Sequence, residues 1–161
     1  HGAAILTPEG TLDADWHAEM QQQLAPYQSR LSAMLATTLQ TGENLGLSLR
    51  GWLESVEDTD AYLVIKSNDS REEDLQQLLH TLRETIDLEG FYIHMNGNNL
   101  ALLPDVVNKR AATVEILRRH TAKHGRTTVF GMGDSVSDLG FMRLCDFSAF
   151  PPNSQLGRLL P

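Results

Sequence analysis

The chain has 161 residues, of which 41% are hydrophobic and 21% charged. That is an ordinary globular balance, long enough to bury a core without a disulfide or metal staple, and it excludes disordered, collagen-like and low-complexity classes. The net charge of −8 argues against a nucleic-acid binder, and no apolar run reaches the ~20 residues of a membrane span.

A single cysteine, Cys145, rules out an internal disulfide and fits a reducing, cytoplasmic setting. The start, His1-Gly2-Ala3-Ala4-Ile5-Leu6, has neither the basic flank nor the cleavage pattern of a signal peptide. It also lacks an initiator Met, so further sequence upstream is expected. Residues 54–103 carry 11 acids and 3 bases, whereas residues 104–161 carry 5 acids and 8 bases. The C-terminal third is therefore the part that tolerates an anionic ligand.

In chain order, residues 3–12 read as a short hairpin around Pro8-Glu9-Gly10. Asp13 or Asp15 can cap a helix whose apolar residues, from Trp16 to Leu39, recur every three or four positions. Pro26 should kink or split it, and Gly42 stands where a C-terminal cap belongs. Two strands are expected next, Leu45–Leu49 running on to Leu53, and Tyr62–Ile65, separated by the acidic turn at 57–60. Ser70 and Glu73 form a capping-box pattern ahead of a second helix with a leucine stripe, ended by Gly90. Asn96-Gly97-Asn98 joins two further strands, 91–95 and 99–103, as a hairpin. Residues 15–103 thus predict an α+β layer with both helices on one face of a four-stranded, mostly antiparallel sheet. After Pro104 the rhythm becomes helix, strand, helix, strand, with strands over 127–133 and 146–150, the first of the buried parallel kind. This is the pattern of a doubly wound α/β core.

The chemistry concentrates in Gly133-Asp134-Ser135-Val136-Ser137-Asp138, where an apolar strand gives way to a helix. Ligands of open α/β sheets bind at such strand ends. Asp134 and Asp138, four apart, can share one face and suit a hard cation such as Mg²⁺, or else serve as an N-cap and a first-turn acid. Lys109, just before a helix, can neutralise a phosphoryl group. His120 and His124 are four apart but sit at a helix end that favours positive side chains anyway. His94 alternates with apolar neighbours and can face a ligand, while Trp16 and Trp52 are expected to pack. Cys145 reads as a buried structural thiol.

Lys109, the alanine-containing helix behind it and the Gly133–Asp138 run together resemble the haloacid dehalogenase phosphohydrolases. The narrower resemblance is to the branch with a large α+β cap, which includes sucrose-phosphate, mannosyl-phosphoglycerate and trehalose-phosphate phosphatases. The resemblance implies a partial, Rossmann-like core from residues 1–14 and 104–161, with an α+β cap inserted at 15–103. It implies Asp134 as a Mg²⁺ ligand, Asp138 as its support, and Lys109 as the group holding phosphate and nucleophile in register. Ser135 and, more distantly, Asn153 would contact phosphate or substrate. In that family the nucleophile is the first Asp of an Asp-x-Asp-x-Thr strand, and this sequence holds no such run. Asp13-Ala14-Asp15 reads as a helix cap.

The expected function is a Mg²⁺-dependent phosphomonoester hydrolase acting on a small phosphorylated metabolite, a sugar phosphate, in the cytoplasm. No nucleic-acid or membrane partner is expected, and the chain alone should be inactive for want of its nucleophile. Its core would be completed by a second copy or by a missing N-terminal segment. The alternative is a non-catalytic binding or assembly module that pairs an open sheet edge with a partner.

Overall fold

The structure is a computed structural model that describes residues 1–159. The chain divides into two compact units, a continuous one over Asp13–Val107 and a discontinuous one formed by His1–Leu12 with the chain from Asn108 onward.

The continuous unit begins with α1 (Ala14–Leu24), where the Asp13 carboxylate accepts the backbone N–H of Trp16 at 2.8 Å. Trp16, Met20 and Leu24 recur every fourth residue and are buried. Pro26 lies in a 3₁₀ turn, Ala25–Tyr27, that separates α1 from α2 (Gln28–Asn44). The helix is thus split where its N–H is lost. α2 runs past Gly42, and Gly46, at φ +69°, makes the exit instead. The N–H groups of Leu45, Gly46 and Leu47 bond back to Thr41, Glu43 and Gly42. Those bonds engage the amides that an extended 45–48 segment would need, so β1 (Leu49–Val56) starts later than the alternation suggests.

β1 pairs antiparallel with β2 (Thr59–Ser67). α3 (Glu72–Thr85) follows, but Ser70 is not its cap: it sits at φ +56°, and Arg71 occupies the cap position without a side-chain bond. Ser67 does the work expected of Ser70. Its Oγ accepts the N–H groups of Asp69 and Arg71 at 3.2 and 3.3 Å and donates to the buried Asp74 carboxylate at 2.7 Å. β3 (Phe91–Met95) and β4 (Leu100–Pro104) form the expected hairpin. The sheet order is β1-β2-β4-β3, antiparallel throughout.

One face of this sheet, through Leu63, Ile65, Leu100 and Leu102, meets Leu31 and Met34 of α2 and Leu75, Leu78 and Leu82 of α3 in a single core. The register places Trp52, Val64, Ala101 and His94 in one row on the opposite face, with Glu54 opposite Tyr62 and Tyr92 opposite Leu103 in the next.

The discontinuous unit is thinner. The hairpin expected over residues 3–12 is present in minimal form, as one antiparallel bridge, Leu6 to Leu12, across a turn closed by Gly10 N–H to the Thr7 carbonyl. The chain folds back on itself there, and among the described residues it pairs with no named strand. α4 (Lys109–His124) is capped by Asn108, whose side chain accepts the Ala111 N–H at 2.7 Å, and it buries only Ala112. β5 (Phe130–Met132), α5 (Leu139–Met142) and β6 (Phe147–Ala149) follow, and β5 and β6 pair in parallel. Both strands are shorter than expected, and among the described residues each pairs only with the other. β5 is also not buried: Phe130 is 70% and Met132 75% exposed. A last helix, α6 (Gln155–Leu159), has no clear periodicity to announce it. Among the described residues, no helix is long and apolar enough to cross a membrane.

Gly51 in β1 leaves no room for a side chain: an added Cβ would lie 2.3 Å from Ile65 Cδ1 and 3.1 Å from Leu35 Cδ1. Gly51→Val should therefore lower stability by about 2 kcal/mol through overpacking. Urea unfolding should show the midpoint falling with the slope unchanged.

Candidate active site

The expected site residues Lys109, Asp134, Ser135 and Asp138 all belong to the discontinuous unit. Lys109 is the first residue of α4, and its Nζ donates to Asp138 Oδ1 at 2.5 Å. Asp138 is 2% exposed, whereas the lysine side chain is 43% exposed. The other carboxylate oxygen, Oδ2, accepts the backbone N–H groups of Asp134 and Ser135 at 3.0 and 3.1 Å and the Ser135 hydroxyl at 3.1 Å. Ser135 and Asp138 thus form a capping box at the start of the 3₁₀ turn Val136–Asp138. Ser135 Oγ also shares a hydrogen bond with Ser137 Oγ at 2.7 Å.

Gly133 makes this closeness possible. A Cβ there would lie 2.5 Å from Asp138 Cβ and 2.7 Å from Met142 Sδ. The glycine at the strand end therefore serves the approach of Asp138 itself. Burial pushes the Asp138 carboxyl up, but the Lys109 hydrogen bond and the two loop N–H groups outweigh it and hold the pKa at about 2.

Asp134 has a different role from Asp138. Its backbone is tied at both ends, N–H to Asp138 and carbonyl to the Leu156 N–H at 3.1 Å, while its side chain is exposed. Among the described residues no hydrogen bond or ion pair engages its carboxylate. Gln155 Oε1 accepts the Val136 N–H at 2.9 Å, so α6 braces the same loop. Sequence reasoning missed this brace, because a five-residue helix after two prolines carries little periodic signal. Asn153, exposed in the turn before α6, accepts from Arg158 through its carbonyl at 3.1 Å.

Asp138, with both oxygens engaged, is not placed as a direct metal ligand. No group of three or more His, Cys, Asp or Glu side chains is arranged to hold a metal ion among the described residues. The residues present therefore offer Mg²⁺ one available carboxylate, Asp134, and do not make a complete site. His120 and His124 stack at 4.9 Å between ring centroids, and His120 Nε2 bonds Thr127 Oγ1 at 3.1 Å. Cys145 is half-buried, with its thiol near the Phe141 carbonyl at 3.7 Å. A shallow cleft of about 210 Å³ lies beside Lys109, lined by Gly2, Ala112, Thr113 and Phe141.

No protein-family model matches the chain, and no curated protein matches it. Solved structures do. The sucrose-phosphatase of Synechocystis sp. PCC6803 is similar over 98% of this chain and 59% of its own, with a TM-score of 0.55 and 22% identity. The chain has the mixed α/β fold of part of that protein. An IMP-bound mutant of the IMP-nucleotidase of Plasmodium falciparum is similar over 97% of this chain and 43% of its own, with a TM-score of 0.50 and 15% identity. The chain therefore spans less than two-thirds of either protein, and at these identities the likeness bears on the fold alone.

Because the Asp138 pKa lies below the ordinary 3.8, its charge stabilises the folded unit above that value, and the stabilisation is lost as pH falls through about 2. Asp138→Asn should cost about 2 kcal/mol near neutral pH and flatten the acid dependence of stability. Urea unfolding of both proteins at near-neutral and acid pH measures the effect, and the difference between them should shrink toward acid.

Proposed function

We propose that this chain belongs to a Mg²⁺-dependent phosphomonoester hydrolase acting on a small phosphorylated metabolite, a sugar phosphate, in the cytoplasm. The observation that carries the reading is the pair of Lys109 with the buried Asp138, set beside the exposed Asp134 carboxylate at the end of β5. In this reading residues 1–14 and 104–161 are the catalytic core and 15–103 the cap that selects substrate.

An ammonium group has three donors. One of Lys109's holds Asp138, which leaves two for a phosphoryl oxygen and an attacking carboxylate. Asp138 orients the ammonium group, and Ser135 serves the site through Asp138. Phosphoryl transfer depends mainly on such positioning and charge stabilisation, so a fixed cation is a substantial part of the machinery. Asp134 is the ligand this chain offers Mg²⁺, which commonly takes one or two carboxylates with substrate phosphate and water. The nucleophile and the remaining ligands come from polypeptide outside this sequence. Asn153 lines the phosphate side.

One observation supports a sugar as the leaving group: the Synechocystis sucrose-phosphatase was solved with sucrose and phosphate.

The test is a phosphatase screen, with and without Mg²⁺, on the product of the whole reading frame that encodes this chain. Metal-dependent phosphate release should fall about 100-fold in Asp134→Asn and Lys109→Ala, the scale of losing one charge-stabilising group. The 161-residue chain alone should release none. Turnover by the chain alone that disappears in Asp134→Asn would overturn the assignment of the nucleophile to another segment.

A further inference from the structure

The C-terminal end of α4 carries two of the chain's six histidines, His120 and His124. Four residues apart, they share one face of the helix, and both are exposed. Their ring centres lie 4.9 Å apart, with the planes tilted by 39°. That separation has a chemical meaning. A Zn²⁺ ion sits about 2.1 Å from a ligating imidazole nitrogen, and so about 3.2 Å from the ring centre. Two imidazoles on one such ion, at an angle of about 90–110°, have their centres about 4.5–5.2 Å apart. The observed 4.9 Å falls inside that range.

The surroundings suit a ligating pair. Positive charge at a helix end accounts for either histidine alone, but not for two held ring to ring, since two imidazolium charges that close repel each other. Of the four basic residues between 116 and 128, Arg118 and Arg119 share Glu115, and Arg126 meets Asp146. Most of the local positive charge is therefore matched by acids, and the end of the helix dipole adds partial negative charge. Gly125, at φ +77°, turns the chain back after His124, and Thr127 Oγ1 meets His120 Nε2 at 3.1 Å. That bond fixes the His120 ring, as an outer partner does for a ligating imidazole, and leaves its other nitrogen for an ion. Among the described residues, no hydrogen bond engages the His124 ring.

We propose that His120 and His124 form a two-imidazole site for a divalent transition-metal ion of the Zn²⁺ class, with water at the remaining positions. Imidazole suits Zn²⁺, Ni²⁺ and Cu²⁺, whereas Mg²⁺ takes oxygen ligands, so the site is chemically separate from the Asp134 carboxylate. Two protein ligands, against four in structural zinc sites, make the ion exchangeable rather than resident. Its effect is on the helix. α4 buries only Ala112, and its first residue is Lys109. An ion that bridges one turn at the far end holds residues 120–124 helical and firms the element that presents Lys109. The inference stands whether or not the protein hydrolyses phosphate.

The test titrates Zn²⁺, in the presence of excess Mg²⁺, into the product of the whole reading frame that encodes this chain. Binding is followed by calorimetry, and the backbone amides of residues 121–125 by hydrogen exchange. Zn²⁺ should slow exchange at those amides about tenfold. His120→Ala and His124→Ala should each weaken the binding that produces this protection by at least about tenfold. A variant combining His124→Ala with Ala122→His keeps the number of histidines but sets them two apart, on different faces, and should lose the protection as well. His80→Ala, at an exposed ring on α3, should leave it unchanged. All of these side chains are exposed, so the fold should survive each change. Unaltered exchange at residues 121–125 under saturating Zn²⁺ would overturn the proposal, wherever else the ion binds. So would protection that persists in either alanine variant or in the displaced pair. No readout depends on phosphatase activity.

Discussion

The loop that ends β5 is organised by one buried negative charge. A carboxylate taken out of water is costly unless its oxygens are hydrogen-bonded and its charge is balanced. Asp138 meets both conditions, with Lys109 on one oxygen and two backbone N–H groups and a hydroxyl on the other. These contacts join the start of α4 to the end of β5 and the turn before α5. They also divide the labour between two acids that look equivalent in the sequence. Asp138 is held inward as an anchor, and Asp134 is left exposed as a result, its own N–H fixed by Asp138.

The two units differ in how completely they satisfy themselves. Asp13–Val107 places Leu63, Ile65, Leu100 and Leu102 under two helices and exposes no large hydrophobic side chain among the described residues. The other unit hangs a 16-residue helix on one buried alanine and carries a parallel ribbon with a bare aromatic face. Its order therefore rests more on the polar linkage around Asp138 than on apolar burial. The brace from Leu156 and Gln155 of α6 belongs to the same economy of contacts.

Much of the architecture was legible where the physics is local. Asp13 caps α1, Pro26 splits the first helix, and Asn96-Gly97-Asn98 turns the β3–β4 hairpin, each through backbone preferences a short window can reveal. The misreadings arose where a distant partner decides. Ser70 lost its cap role to Ser67, because Asp74 reaches back from α3 to the serine hydroxyl. Gly42 is not the end of α2, because the tight fit it serves is against Leu49 in the next strand. The strand expected over 127–133 shrinks to three residues, two of them exposed, since its length depends on neighbours the periodicity does not name. In the candidate site, spacing and position singled out Asp134, Asp138 and Lys109, and the fold brings Lys109 and Asp138 into contact beside Asp134. Spacing did not show that Asp138's oxygens would both be engaged, because that follows from the chain turning back at Gly133.

The account stands most directly on the charge state of Asp138. A carbon-detected NMR titration of its carboxyl group in the intact chain should place the pKa at about 2, and replacing Lys109 with Met should raise it clearly. An Asp138 carboxyl that titrates at or above the ordinary 3.8, or one indifferent to Lys109→Met, would contradict the claim that this ion pair organises the strand-end loop.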